Sequence, residues 1–230
     1  MPIDRKPIFC YVTDRRLPEA ASAAASVPPS QVLLPRVNSL YDSISQAISA
    51  GINWIQIREK DLDTRSLLEV ARFAVTAARG TQARVVINDR LDIALAANAS
   101  GIHLGEKSLP LEAVVKWRHS SGRNAFQIGI SCHSLESACA AEANGADYIF
   151  FGPVFATPSK AAFGAPHGLD RLREVCASVK IPVLAIGGVN FENAQECLNA
   201  GASGVAAIRL FQNVKDPAEL PIKLKEFRLK

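Results

Sequence analysis

The chain has 230 residues, 48% of them hydrophobic and 21% charged, with a formal net charge of +4 at pH 7. This composition excludes a chain that is disordered throughout, and the scattered Lys and Arg residues argue against binding to nucleic acid. Because the sequence has no apolar run long enough to span a membrane, no recognisable signal peptide and an odd number of cysteines without a CxxC pair, we expect a cytoplasmic protein with reduced thiols.

Eight short runs rich in β-branched residues occur along the chain, and helical patterns separate them. The runs are residues 8–14, 54–60, 84–90, 101–106, 127–133, 147–155, 182–188 and 204–210. This alternation predicts an α/β protein, a single (β/α)8 TIM barrel over residues 1–230, in which functional residues lie at the C-terminal ends of the strands. The alternative, an open doubly wound sheet, is disfavoured because no GxGxxG sequence follows the first strand.

One segment departs from this alternation. Residues 18–38 lie between the first strand and a helix expected to begin near Ser39, and they are rich in Ala, Ser and Pro. A βα loop of this length is either a lid over the active face or a disordered insertion, and its composition favours a flexible insertion.

The second strand ends in a row of polar residues. A two-residue period places Gln56, Arg58 and Lys60 on one face and Glu59 on the other. Two cations and an amide at the mouth of a barrel suit a pyrophosphate, which Arg binds through paired hydrogen bonds and Lys attracts as a point charge. The alternative is a surface ladder of salt bridges with Glu59 and Asp61.

The third strand closes with Asn88 and Asp89, an amide and a carboxylate at the expected rim of the site. Mg²⁺ prefers carboxylate oxygens together with substrate phosphate and water, so Asp89 is a candidate metal ligand. Its alternative role is to cap the helix expected to begin near Leu91.

Hydroxyl and cationic side chains follow the fifth and sixth strands. Ser131 is a candidate to hydrogen-bond a phosphate or a ring substituent, whereas His133, to which the sequence assigns no carboxylate partner, is expected to be structural. In the sixth βα loop, Thr157, Ser159 and Lys160 suit an anion and a leaving group. The alternative for this loop is a plain Pro-Ser turn.

Glycines follow the seventh strand, and a turn follows the eighth. Loops at these two places in a barrel often bind phosphate, because glycines let backbone N–H groups approach the oxygens. Gly187 and Gly188, together with the turn at Ile208 and Arg209, therefore predict a phosphate site.

Six motifs, in order along the chain, resemble those of the thiamine phosphate synthase and thiazole tautomerase family: QIREK, INDR, GIHLGE, IGISCHS, ADYIFFGPVFATPSK and PVLAIGGV. The resemblance covers nearly the whole chain. It implies a transferase of thiamine biosynthesis that couples hydroxymethylpyrimidine pyrophosphate to a thiazole phosphate. It further implies Mg²⁺ and loss of pyrophosphate through a pyrimidine-stabilised cation.

The resemblance also implies roles for individual residues. The pyrimidine pyrophosphate would contact Gln56, Arg58, Lys60, Asn88, Ser131 and Lys160, and Mg²⁺ would bind Asp89. The thiazole phosphate would contact Thr157, Ser159, Gly188 and the turn at Ile208. Positioning and charge neutralisation dominate such chemistry, so the catalytic candidates are Arg58, Lys60 and Lys160.

Two positions depart from the synthase pattern. Ser108 stands where the synthase has a second metal-binding carboxylate, for which Glu106 is a candidate substitute, and Arg209 stands where the synthase has a serine. Both changes favour the thiazole tautomerase branch, which transfers a proton without metal. However, Pro153 stands where some tautomerases have a histidine base.

The synthase is the first expectation, because Asp89, Lys160 and the cations of the second strand are retained. The alternatives are the tautomerase and a non-catalytic barrel that binds a thiamine precursor as a regulator. A sugar-phosphate isomerase on the same fold would need a carboxylate base at a strand end, and Glu59 faces the wrong way.

Overall fold

The computed structural model describes residues 6–16, 33–157, 165–212 and 217–229. The strands in these ranges are β1 (Ile8–Val12), β2 (Trp54–Ile57), β3 (Arg84–Asn88), β4 (Gly101–Leu104), β5 (Gln127–Cys132), β6 (Tyr148–Phe151), β7 (Val183–Ile186) and β8 (Gly204–Ala207). The helices are α1 (Leu33–Ser49), α2 (Thr64–Ala77), α3 (Leu91–Ala96), α4 (Leu111–Ser120), α5 (Leu135–Ala143), α6 (Gly168–Ser178), α7 (Ala194–Asn199), α8 (Arg209–Gln212) and α9 (Leu220–Leu224), the last preceded by a 3₁₀ turn at Pro217–Glu219.

The strands are parallel and form a closed barrel in chain order, in which β8 also pairs with β1. The predicted (β/α)8 barrel is therefore confirmed, and each of the eight predicted runs contains a strand. The strands are shorter than the runs. Because β2 ends at Ile57, Arg58 and Lys60 lie in the following loop rather than on the strand.

The barrel has two apolar layers, which follow from the alternation of side chains along each strand. The outer layer packs strand residues such as Ile55 and Ile57 against the helices. The inner layer contains large side chains such as Trp54, Tyr148 and Phe150, which fill the centre of the barrel. The barrel is thus a packed core, and a ligand has to bind at its end.

The helices follow the same logic, as α2 illustrates. Leu67, Val70, Ala71 and Ala74 are spaced by three or four residues and are all buried against the strands. The side chain of Asp63 accepts hydrogen bonds from the backbone N–H groups of the first turn, so it caps the helix. No helix in the described part of the chain is long and apolar enough to cross a membrane.

The first βα connection differs from the expectation at one end. Helix α1 begins at Leu33, six residues before the expected start near Ser39, so residues 33–38 are helical rather than part of an insertion. The rest of the predicted insertion, residues 18–32, lies outside the described residues.

Candidate active site

Polar side chains gather inside the barrel on one side, at the C-terminal ends of β2 to β5. Each of these strands has one such residue at an interior-facing position: Gln56, Asn88, His103 and Ser131. The amide of Gln56 is 2% exposed and donates a hydrogen bond to Oδ1 of Asn88 at 3.2 Å. The predicted residues Gln56, Asn88 and Ser131 therefore line one polar sector.

Two cations stand above this sector. Nη1 of Arg58 lies 3.6 Å from Oδ2 of Asp14 at the end of β1. The charge of Arg58, followed by partial burial, lowers the pKa of Lys60, while Asp89 and Asp14 act in the opposite direction. The four groups are thus within electrostatic reach of one another, and an anion that displaces the carboxylates would neutralise both cations.

Glu59 lies away from this cluster and is 4% exposed. Nη1 of Arg15 donates to Oε2 of Glu59 at 3.1 Å and to Oδ1 of Asp61 at 2.6 Å. Burial raises the pKa of Glu59, opposed by hydrogen bonds from Thr13 and Arg15. The alternative of a salt-bridge ladder with the cations of the second strand is therefore wrong for Arg58, which pairs with Asp14 instead.

Asp89 is exposed and follows β3 with a φ of 66°, a left-handed conformation that Asp tolerates better than most residues. Its backbone N–H donates to the carbonyl of His103 at 2.9 Å. The residue at the N-terminal boundary of α3 is Arg90, which makes no side-chain cap. The alternative role of Asp89 as a helix cap is therefore wrong, and its carboxylate instead stands near Lys60.

Ser108 and Glu106 both lie in the loop after β4. The hydroxyl of Ser108 accepts the backbone N–H of Gly105 at 2.7 Å, so it serves its own loop. Oε1 of Glu106 lies 3.6 Å from Nε2 of His133. Among the described residues, no group of three or more His, Cys, Asp or Glu side chains is arranged to hold a metal ion.

His103 and Tyr148 are two interior residues that the sequence analysis missed. His103 is 2% exposed, and its ring packs against that of Phe150 in a tilted arrangement, with 4.0 Å between ring centroids. Its Nδ1 lies 3.2 Å from the hydroxyl oxygen of Tyr148, and its Nε2 lies 3.0 Å from that of Ser131. Burial, with a smaller contribution from Arg58, lowers the pKa of His103 to about 3. The sequence signal that could have identified His103 is the two-residue period of the GIHL strand, which places this side chain in the barrel interior.

His133 connects neighbouring loops. Its Nδ1 makes a short hydrogen bond to the carbonyl oxygen of Gly152, at the end of β6. The carboxylate near its other nitrogen belongs to Glu106, in the loop after β4. These contacts agree with the structural role expected for His133.

The glycine turn after β7 packs directly against the loop after β6. Gly187 and Gly188 have φ angles of 93° and 68°, which favour glycine. A Cβ at Gly188 would lie 2.6 Å from the carbonyl oxygen of Ala156, and one at Gly187 would lie 2.6 Å from Pro153. The backbone N–H of Phe155 also donates to the carbonyl of Gly187 at 3.0 Å. The two loops therefore form one packed unit.

The remaining predicted residues lie around this unit or beyond the described ranges. Thr157 is half-buried at the end of the described part of the sixth loop, and Ser159 and Lys160 lie outside the described residues. Ile208 is half-buried and packs on the inner layer, while Arg209 is exposed as the first residue of α8.

These features define a (β/α)8 barrel with a site for a phosphorylated ligand at the C-terminal ends of its strands. Residues 30–211 match the family model described as thiamine monophosphate synthase, and the chain belongs to this family. The thiamine-phosphate synthase of Moorella thermoacetica is 41% identical over 180 residues, which are 78% of this chain and 84% of that protein. The corresponding enzyme of Methanocella arvoryzae is 42% identical over 180 residues, 78% of this chain and 83% of that protein.

A solved structure gives the same result over more of the chain. The thiamine phosphate pyrophosphorylase from Pyrococcus furiosus superposes with a TM-score of 0.77 and 33% sequence identity. The match covers 97% of this chain and 96% of that one. The predicted family is therefore confirmed.

Proposed function

We propose that the protein is a thiamine-phosphate synthase, which couples hydroxymethylpyrimidine pyrophosphate to a thiazole phosphate and releases pyrophosphate. The observation that carries this proposal is that Arg58 and Lys60 lie in the loop directly after β2, whose Gln56 belongs to the polar sector, and that Arg58 acts electrostatically on His103 in that sector. A pyrimidine that carries a pyrophosphate needs polar side chains that hydrogen-bond its ring and, beside them, cations that bind the pyrophosphate.

The chemistry follows from this arrangement. The bond between the pyrimidine methylene carbon and the pyrophosphate oxygen breaks, and the oxygen keeps the electron pair. Arg58 and Lys60 neutralise the charge that develops on the leaving pyrophosphate, and Lys160 is proposed to assist them. The thiazole nitrogen then donates its lone pair to the methylene carbon. Holding the two substrates in line is the main task of the remaining residues.

Mg²⁺ is the proposed cofactor, and Asp89 is its proposed ligand. The exposed carboxylate beside Lys60 fits this ion, because Mg²⁺ in enzymes is often held by one or two carboxylates together with substrate phosphate and water. When bound, the ion would supply positive charge to the pyrophosphate. Ser108 supplies no carboxylate, and substrate phosphate and water would provide further oxygen ligands.

The thiazole phosphate is proposed to bind at the unit formed by the loops after β6 and β7. Gly187 and Gly188 bring the backbone of the seventh loop close to Pro153 and Ala156 of the sixth loop. Thr157 follows in that loop, and it and Ser159 would supply hydroxyl groups to the proposed site. Ile208 and Arg209 would close it from the eighth loop, where a guanidinium offers a phosphate more charge than a serine does.

Thiazole tautomerase is the second candidate, favoured by Ser108 and Arg209. A tautomerase has no need for pyrophosphate-binding cations, and this chain has Arg58 and Lys60 at the mouth. Pro153 also occupies the position of the tautomerase histidine. The synthase is therefore the better supported of the two activities.

We place the protein in the cytoplasm, because all five cysteines are free in the structure.

The experiment that tests the proposal follows thiamine phosphate by mass spectrometry after mixing the protein with both substrates and Mg²⁺. We expect product formation that stops when EDTA is added. In the Arg58→Gln variant we expect the KM for the pyrimidine pyrophosphate to rise about tenfold or more, because a charge-assisted contact is lost.

The matched control is Arg84→Gln, at an exposed arginine that begins β3 on the opposite face of the barrel. This variant should leave the KM unchanged. Isomerisation of the thiazole substrate without coupling would assign the protein to the tautomerase branch, and binding without any turnover would make it a regulator.

A further inference from the structure

Three hydrogen-bonded side chains form a line through the barrel interior, which we call the relay: Tyr148, His103 and Ser131. His103 is the central member, with one ring nitrogen 3.2 Å from the Tyr148 hydroxyl oxygen and the other 3.0 Å from that of Ser131. Tyr148 is fully buried, whereas Ser131 is half-buried at the mouth. The relay therefore connects the packed core with the proposed substrate site.

The buried end determines the direction of the hydrogen bonds. Gly129 on β5 leaves the space that the Tyr148 ring occupies, since a Cβ at this position would collide with the ring. In the described part of the chain, the Tyr148 hydroxyl makes its hydrogen bond with His103. A buried hydroxyl that fails to donate is unfavourable, so Tyr148 donates to Nδ1 of His103.

This direction is passed on to Ser131. A ring nitrogen that accepts a hydrogen bond carries no hydrogen, so the buried His103 ring is neutral and carries one hydrogen. Since Nδ1 accepts from Tyr148, the hydrogen is on Nε2, which donates to Oγ of Ser131. The hydroxyl hydrogen of Ser131 then points away from His103 and is free to donate toward the mouth of the barrel.

We propose that the relay holds Ser131 as a hydrogen-bond donor toward the bound pyrimidine pyrophosphate, so that the site selects a substrate with an acceptor atom opposite this hydroxyl. Such an acceptor is a ring nitrogen or a phosphate oxygen. An amino group at this place would be disfavoured, because its hydrogens would face the hydroxyl hydrogen of Ser131. The inference deepens the proposed function and rests on it for the identity of the substrate. Tyr148 and His103 are positioning residues, because they act through Ser131.

The tautomer of His103 tests the relay without any substrate. In long-range ¹H–¹⁵N spectra of the full chain, the His103 signals are identified by their loss in the His103→Gln variant. We expect the tautomer with hydrogen on Nε2, and a mixture of tautomers in Tyr148→Phe. A hydrogen on Nδ1, or a doubly protonated ring, would overturn the proposal whatever the activity of the protein.

Binding of the pyrimidine pyrophosphate, measured by calorimetry, tests the consequence for the substrate. We expect Tyr148→Phe to weaken binding about tenfold, since Ser131 is then no longer held as a donor. The same change in a Ser131→Ala background should have no further effect. The matched control is Tyr41→Phe, at a half-buried tyrosine that packs on Phe73 outside the barrel, and it should bind normally.

Equal affinity of Tyr148→Phe and the unaltered protein would overturn the proposal. If the unaltered protein failed to bind the pyrimidine pyrophosphate, the proposed function would be wrong. The His103 tautomer would still show whether the hydrogen bonds of the relay run in the proposed direction.

Discussion

Glu59 lies between Arg58 and Lys60 in the sequence, but its carboxylate is bound by residues of another loop. Arg15 donates to Glu59 through both its backbone N–H and its guanidinium. The hydroxyl of Thr13 accepts the backbone N–H of Arg58 at 2.9 Å. These contacts join the first two βα loops, so they determine the direction in which Arg58 and Lys60 leave the strand.

We predict that Glu59→Gln lowers the free energy of unfolding by about 3 kcal/mol, because it leaves the buried guanidinium of Arg15 with less compensating charge. Urea unfolding measures this change. The matched control is Glu174→Gln, which removes an exposed pair with Arg171 and should cost less than about 1 kcal/mol. Equal costs for the two variants would show that the buried pair is not a major source of stability.

The period of a strand indicates where a side chain points but not what it meets. It placed Arg58 and Lys60 together and Glu59 apart from them, in agreement with the structure. It did not reveal Arg15, which lies 44 residues earlier in the chain, because such a partner depends on the pairing of β1 with β2. His103 escaped attention for a similar reason, since its partners come from β5 and β6.

At the level of elements, the contact between the loops after β6 and β7 carries the next prediction. We expect Gly188→Ala to destabilise the protein and to weaken binding of the thiazole phosphate. The new Cβ would be strained at a φ of 68° and would lie 2.6 Å from the carbonyl oxygen of Ala156. Thermal unfolding and calorimetry with the thiazole phosphate measure the two effects.

The chain offers a matched control in Gly80→Ala. Gly80 has a φ of 75°, and a Cβ added there would have nothing within 4 Å, so the substitution introduces backbone strain of about 1–2 kcal/mol without a collision. Affinity for the thiazole phosphate should stay unchanged in this variant. Comparable losses of affinity in both variants would argue against a phosphate site at Gly188.

Helix boundaries illustrate where sequence patterns are weak. The expected start of α1 near Ser39 left Pro35 in the preceding segment, which is rich in Ala, Ser and Pro. In the structure, Pro35 is the third residue of a helix that begins at Leu33. A proline in the first turn is tolerated, because the N–H that it lacks has no partner within the helix. The element was predicted, but its first turn was assigned to the preceding loop.

For the whole molecule, ligand binding should increase the free energy of unfolding. A ligand at about 100 times its dissociation constant adds about 2.7 kcal/mol, which in a protein of this size raises the Tm by about 5–10 °C. We expect this shift with the pyrimidine pyrophosphate and Mg²⁺ together. Mg²⁺ alone should have little effect, since this ion is usually held by one or two carboxylates together with the phosphates of a bound substrate.

Two variants separate the metal ligands in the same assay. Asp89→Asn should remove the additional shift that Mg²⁺ gives in the presence of the pyrimidine pyrophosphate. Glu106→Gln should retain it, because Glu106 is near His133. Loss of the shift in Glu106→Gln would identify this carboxylate as the substitute for the missing one at Ser108.

The barrel as a whole was predictable because eight βα units repeat one pattern, and closure of β8 onto β1 completes it. The internal asymmetry of the barrel was only partly predictable. Polar interior residues occur on β2 to β5, whereas β6 to β8 present apolar ones such as Phe150 and Ile186. This division emerges only when alternate residues of neighbouring strands are placed side by side.

The aromatic packing inside the barrel also provides an optical reporter. Trp54 lies edge-on to Tyr148, with ring centroids 4.5 Å apart, whereas the other of the two tryptophans, Trp117, packs on Phe126 outside the barrel. In a Trp117→Phe background, all indole emission would come from beneath the site. Occupancy at Ser131 would then be followed in real time by intrinsic fluorescence, without a label and without waiting for turnover.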